Sequence, residues 1–299
     1  MQHETTKRLL AWLIALALPF ATACAADGSP AGDEAADGGY ADRMAEEHAG
    51  DAPTPGFAAE GEDAAQDAGV TGERVAYFDL GGEAVEGYLA RPAAGAEGAP
   101  GVIVIHEWWG LNDNVETMAR MLAQQGYQAL AVDLYNGASA DSPAAARELM
   151  GAVDAATAKD NLRQAHAYLS EKLGASRVGV IGWCFGGAWS LQTALTLGGD
   201  LDAAVIYYGR LLTDESELAK LEAPVLGLFG SEDQGIPVAS VREFEAALAK
   251  LGKPASIHVY EGADHAFANP SGQRYEPQAA KDAWAKTTAF LEEHLKQEL

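Results

Sequence analysis

The stretch Val178-Gly179-Val180-Ile181-Gly182-Trp183-Cys184-Phe185-Gly186-Gly187 decides the fold, because it passes from a short apolar run into glycines packed around one cysteine. A brief run of branched apolar residues bounded by glycine reads as a strand buried on both faces. The segment that follows, Phe185 to Leu197, is spaced as a helix. Cys184 therefore stands where a strand turns sharply into a helix. This is the setting of a nucleophile elbow with cysteine in place of serine, and the flanking glycines let strand and helix approach closely. The helix N-terminus beside the sulfur favours thiolate. An isolated match of this kind is more often a buried structural cysteine, so the rest of the chain must decide.

Outward from this junction the same pattern repeats. Short apolar runs bounded by turn residues occur at Val102 to Ile105, Ala129 to Val132, Ala203 to Tyr207, Val225 to Phe229 and Ser256 to Tyr260. All of these read as strands buried on both faces. Helical spacing occupies Val115 to Gln125, Pro143 to Leu173, Val238 to Leu251 and Pro277 to Leu295. Upstream, Arg74 to Leu80 and Ala84 to Arg91 flank Gly81-Gly82 as an antiparallel hairpin. Strands alternating with helices predict an α/β fold: a mostly parallel, doubly wound sheet of about eight strands with helices on both faces. Ligands of such sheets sit beyond the carboxyl ends of the strands, which directs attention to the residues after each apolar run.

Asp233 follows one such run in Phe229-Gly230-Ser231-Glu232-Asp233, and His265 follows the last in Gly262-Ala263-Asp264-His265. A carboxylate there can accept from an imidazole N–H and fix its tautomer, and the imidazole can then reach a thiol. The order nucleophile, Asp, His is the one this kind of sheet presents. Glu232 competes with Asp233, which taken alone would be a turn former. The remaining histidines fit less well. His3 and His48 fall in the N-terminal segments, His166 and His294 within helices, and His258 in mid-strand. His106 closes the first parallel strand, with a structural or pocket-lining role open to it.

The N-terminal quarter reads differently. Lys7 and Arg8 precede an apolar run from Leu9 to Leu18, then small residues lead to Cys24. That is an export signal over residues 1–24, too short for a comfortable membrane span. Phe20-Ala21-Thr22-Ala23-Cys24 matches a lipoprotein cleavage site in which Cys24 is lipidated, and signal-peptidase cleavage after Ala23 or Ala25 is the alternative. Residues 25–72 carry twelve Asp or Glu against one Arg and read as a flexible acidic linker. The third segment, 73–299, is the single globular domain. A net charge of −24 and the absence of a basic stripe make nucleic acid an unsuitable partner. The expected setting is a bacterial periplasm or envelope, with membrane contact only through a lipid on Cys24. With two cysteines in the chain, Cys184 has no internal disulfide partner.

Cys184, Asp233 and His265, together with His106-Glu107-Trp108-Trp109-Gly110 after the first parallel strand, resemble the dienelactone hydrolase family of the α/β-hydrolase superfamily. Asp133-Leu134-Tyr135, Tyr207-Tyr208-Gly209 and Ala280-Lys281-Asp282-Ala283-Trp284 strengthen the likeness, which runs over roughly residues 73–299. The resemblance implies that Cys184 attacks a carbonyl, His265 relays the proton and Asp233 orients His265. It implies that backbone N–H groups of Trp108 and Phe185 form an oxyanion hole, and that Glu107 influences when the thiol ionises. One departure is plain. Where the family places an arginine shortly after the histidine to hold a substrate carboxylate, this chain has Ala266-Phe267-Ala268-Asn269, and Arg274, Arg210 and Arg147 are the remaining cations to consider. Trp108 and Trp109 suit an apolar pocket wall or the core.

The expected activity is cysteine-dependent hydrolysis of a small ester or lactone by a monomer. The competing reading is an exported small-ligand-binding lipoprotein on the same fold with little or no catalysis. No metal-ligand spacing, P-loop or dinucleotide fingerprint is present, so no metal and no cofactor are implied.

Overall fold

Gly81 and Gly82 adopt φ of +65° and +98°, the backbone of a two-residue turn that any side chain would resist. They join β1 (Val70–Leu80) to β2 (Glu83–Pro92), with Leu80 opposite Glu83. Asp79 Oδ1 accepts from the Gly82 amide at 2.9 Å and closes the turn. The computed structural model describes residues 44–45, 48–49, 51, 69–270 and 272–296. Residues 1–24, with the export signal and Cys24, lie outside the described residues, as does most of the acidic segment.

After the hairpin, strands and helices alternate. In chain order they are β3 (Gly101–Ile105), α1 (Asp113–Gln124), β4 (Gln128–Val132), α2 (Pro143–Gly151), α3 (Ala155–Ala167), β5 (Val178–Trp183), α4 (Phe185–Leu197), β6 (Ala203–Tyr207), α5 (Glu215–Leu218), β7 (Val225–Gly230), α6 (Val238–Lys250), β8 (Ala255–Tyr260) and α7 (Pro277–Leu295). The eight strands form one sheet in the order β1-β2-β4-β3-β5-β6-β7-β8. β1/β2 and β2/β4 pair antiparallel, and every later pairing is parallel. This is the mostly parallel α/β-hydrolase sheet.

Helices cover both faces, as the register shows. Gly101 lies opposite Val178 and shares its face, so Gly179 points the other way. A Cβ on Gly101 would meet Leu169 at 3.1 Å, in the turn after α3, whereas one on Gly179 would meet Leu295 of α7 at 3.0 Å. Between these layers β3, β4, β5, β6 and β7 are buried throughout, which is why their sequences are continuous apolar runs. Each fully buried aliphatic there contributes on the order of 2 kcal/mol.

Three local expectations change. The helix expected over Pro143 to Leu173 is broken: α2 ends at Gly151, and Asp154 caps α3 by accepting from the Thr157 amide at 2.8 Å. A π-turn at Tyr168–Lys172 then replaces the last helical turn. β8 is an edge strand, exposed or half-exposed along its length rather than buried on both faces. β1 starts at Val70, opposite Pro92, inside the stretch assigned to the linker.

The sheet order places the site. β3 connects to β4 on one side, whereas β5 pairs on its other side, so the chain reverses direction of travel between β3 and β5. Crevices open beyond the carboxyl ends of strands at such a switch. Cys184 stands one residue past β5, and Glu107 two past β3.

Candidate active site

At the end of β5 the backbone itself is crowded. A Cβ on Gly182 would lie 2.0 Å from the Gly186 carbonyl oxygen, and one on Gly186 would lie 2.3 Å from the Ile105 carbonyl oxygen. Neither position admits any residue larger than glycine. Cys184 is forced to φ 55° and ψ −116°, a conformation that a non-glycine residue holds only at a cost of about 1–3 kcal/mol. Its amide donates to the Tyr207 carbonyl at 3.0 Å, and α4 begins at the next residue. Cys184 is a free, buried thiol. Burial pushes its pKa up, and the neighbouring His265 and the Phe185 amide work against that rise.

His265 and Asp233 arrive from the ends of β8 and β7. His265 Nδ1 and Asp233 Oδ2 are 2.8 Å apart, with both side chains fully enclosed. The other carboxylate oxygen, Oδ1, accepts from the Ile236 amide at 2.7 Å, so both oxygens of Asp233 are engaged. Burial would lower the imidazole pKa, but the carboxylate of Asp233 and the sulfur of Cys184 outweigh it and hold His265 well above its ordinary value. Burial likewise works to raise Asp233, and His265 with the local amides keeps it below the usual carboxylate range. Nδ1 of His265 is engaged by Asp233, and a ring nitrogen of His265 lies within 4.8 Å of Cys184 Sγ. Glu232, the competing acid, is exposed, with Ser231 Oγ 3.4 Å from its Oε1.

Glu107 is buried beside the same sulfur. Its Oε2 accepts from Asn269 Nδ2 at 2.8 Å. Burial raises its pKa to about 7, with His265 and Asn269 acting in the opposite direction. The loop that carries it is pinned on two sides. His106 Nδ1 donates to the Glu107 carbonyl at 2.6 Å, and its Nε2 accepts from the Leu134 amide at 3.2 Å, so His106 is a structural strut between the ends of β3 and β4. The Tyr135 hydroxyl donates to the Trp108 carbonyl at 3.1 Å. Trp108 and Phe185, the two expected amide donors, stand three residues past β3 and two past β5, and their rings are buried in the core.

His48 departs most from expectation. It lies in the segment assigned to a flexible linker, yet it is buried, with its ring 4.7 Å from that of Trp108 and 5.2 Å from that of His265. Met44 is buried in the core one helical turn earlier. Asp51 Oδ2 stands 2.5 Å from His48 Nδ1 and accepts from Arg274 Nη2 at 2.8 Å, while Arg274 Nε donates to the His265 carbonyl at 3.1 Å. Of the cations weighed for the pocket, Arg274 is thus at the site, and Arg147 is exposed on α2. No sequence pattern marks His48, because its neighbours are acidic and small. Asn269 was detectable only as the absence of an arginine. The other histidines sit elsewhere: His166 Nε2 lies against the Asp200 carbonyl, His258 against Ser256, and His294 packs on Phe290.

From Glu107 and Tyr208 a hollow lined by Met118, Trp183 and Ala268 adjoins a cleft of about 170 Å³ bounded by Tyr207, Trp284 and Lys281. Its walls are largely apolar. Among the described residues no helix is long and apolar enough to cross a membrane.

Residues 85–295 match the profile of the dienelactone hydrolase family. The chain is 34% identical over 232 residues to Protein usf of Aquifex pyrophilus, covering 73% of this chain and 97% of that protein. It is 30% identical over 258 residues to a "Putative carboxymethylenebutenolidase" of Saccharolobus solfataricus, covering 73% and 98%. Among solved structures it is similar to a dienelactone hydrolase-like promiscuous phosphotriesterase from metagenomic libraries, with 26% identity, a TM-score of 0.69, and coverage of 76% and 99%.

Proposed function

The chain belongs to the dienelactone hydrolase family and is an ester or lactone hydrolase; on that basis we propose that it works by acyl transfer through Cys184, His265 and Asp233. The observation that carries the proposal is the enclosed pair of Asp233 Oδ2 and His265 Nδ1 at 2.8 Å, which turns Nε2 of the imidazole toward the sulfur. In this reading His265 Nε2 takes the thiol proton as Cys184 Sγ attacks the carbonyl carbon, and the carbonyl π pair moves onto oxygen. The amides of Trp108 and Phe185 receive that oxyanion. Collapse breaks the C–O bond, and His265 returns the proton to the departing alkoxide, leaving a thioester on Cys184. Water, deprotonated by His265, then releases the acid and restores the thiol. Asp233 holds the tautomer and stabilises the imidazolium throughout.

Glu107 sets the charge next to the sulfur: protonated it leaves the thiolate undisturbed, and ionised it repels it. The apolar cleft between Trp183 and Trp284 favours a small, largely hydrophobic acyl or lactone ring. The leader through Leu18 and the cysteine at position 24 support action outside the cytoplasm, in the periplasm or on a membrane through a lipid on Cys24.

The test is hydrolysis of short-chain aryl esters and small lactones by the full chain and by Cys184→Ala and Cys184→Ser. We expect kcat/KM to fall at least about 10³-fold in Cys184→Ala, and mass spectrometry of quenched wild type to find an acyl group on the Cys184 peptide. Equal rates for wild type and Cys184→Ala would remove the nucleophile.

A further inference from the structure

Among the described residues, the imidazole nitrogens Nε2 of His48 and Nε2 of His265 are buried with no nitrogen or oxygen partner. His48, His265 and Cys184 each bring one ligand-capable atom, a ring nitrogen or Sγ, within 4.8 Å of the other two. The same arrangement stands behind each ring. His265 Nδ1 is held by Asp233 at 2.8 Å, and His48 Nδ1 by Asp51 at 2.5 Å. A contact that short between a nitrogen and a carboxylate oxygen must contain a proton, since two facing lone pairs would repel. Arg274 Nη2 also lies 2.6 Å from His48 Nδ1. Asp51 is the only anion of the three groups, so it accepts both protons and leaves His48 with a lone pair on Nε2.

A carboxylate behind each imidazole, a lone pair in front of it and a thiol between the rings make the donor set of a transition-metal site with its supporting shell in place. We propose that His48 Nε2, His265 Nε2 and Cys184 Sγ bind one divalent ion of the Zn²⁺ class. Ligand atoms around tetrahedral Zn²⁺ stand roughly 3.3–3.8 Å apart. The trio must therefore draw in by up to about 1.5 Å, within the reach of a side-chain adjustment. A hard cation such as Mg²⁺ is disfavoured by two imidazoles and a thiolate with no first-shell carboxylate. Binding forms one metal–sulfur and two metal–nitrogen bonds and expels one proton, which Cys184 or His265 held beforehand. Coordination rests on the positions of these atoms, whereas its consequence, reversible withdrawal of the Cys184 nucleophile while the ion is bound, rests on the acyl-transfer reading above.

The full chain, reduced and treated with chelator, is titrated anaerobically with Co²⁺ as the spectroscopic stand-in. The expected result is one equivalent bound with a thiolate-to-cobalt charge-transfer band, loss of that band in Cys184→Ser, and affinity at least about tenfold weaker in His48→Gln. Should His48→Gln fail to give native circular dichroism, Asp51→Asn serves instead, with affinity weakened about 10- to 100-fold through the supporting shell. Absence of a charge-transfer band at one equivalent, or undiminished affinity in the folded variant, overturns the site. Metal-free ester hydrolysis on the same preparations separates the two ideas. Cys184-dependent hydrolysis without the band defeats the metal site alone, and the band with Cys184-independent hydrolysis defeats acyl transfer alone.

Discussion

Replacing Glu107 with glutamine isolates the charge that the active site keeps beside its sulfur. Glu107 is buried, and burial lifts its pKa from 4.5 to about 7. The folded state therefore retains a proton that the unfolded chain has released, so stability falls as pH rises through this window. Stability from this group is fully present below about pH 4.5 and fully lost above about pH 7. The whole span corresponds to roughly 3 kcal/mol at 1.36 kcal/mol per unit. Between pH 5.5 and pH 8, clear of the sequence pI near 4.5, about 1.5 units remain, or roughly 2 kcal/mol. Glutamine carries no such proton, and its side-chain oxygen can still accept from Asn269. Urea denaturation followed by tryptophan fluorescence should show Glu107→Gln gaining about 2 kcal/mol on wild type between those two pH values. A difference that stays constant within about 0.5 kcal/mol across the range would refute the argument that Glu107 is the buried, proton-holding group. The same substitution should move the rise of kcat/KM to lower pH, because an ionised Glu107 opposes formation of the thiolate.

Asp233→Asn should lower kcat about 10³- to 10⁴-fold with little change in KM, since the imidazole loses the acceptor that sets its tautomer; aryl-ester kinetics provide the check, and a change confined to KM would contradict it. Gly186→Ala inserts a methyl 2.3 Å from the Ile105 carbonyl oxygen and 2.6 Å from that of His106; the urea midpoint should fall by the equivalent of about 3 kcal/mol. His106→Ala removes the strut between the Glu107 carbonyl and the Leu134 amide together with ring packing on Phe185 and Tyr135. A loss of about 3–4 kcal/mol is expected by the same denaturation.

The sheet was legible because its inner strands are enclosed on both faces, so each one shows as an unbroken apolar run such as Val225 to Phe229. β8 escaped that logic: an edge strand half open to solvent carries Ser256 and His258 amid its apolar residues, and its burial was overstated. The break at Asp154 was hidden because Ala152 and Val153 continue the helical spacing, and only the side-chain cap reveals the interruption. At the candidate site, Cys184, Asp233 and His265 could be singled out because each follows a strand end, and the structure brings the three together. Glu107 and the two amide positions came from likeness to a family rather than from spacing. His48 could not be found that way, since a residue brought in from a distant acidic segment leaves no periodic trace. Asn269 shows the related limit, because its partner Glu107 is 162 positions away in the chain.

The elbow around Cys184 is moulded almost entirely by main chain: glycine against glycine, amide against carbonyl. Position 184 is therefore a socket whose coordinates do not depend on what occupies it. On the acyl-transfer proposal, location and reactivity are decoupled there, and a single codon change would exchange sulfur for oxygen at the same point. Such a scaffold lets the chemistry of the nucleophile drift in evolution without any renegotiation of the fold, and it makes the chain a ready host for engineered nucleophiles of similar size.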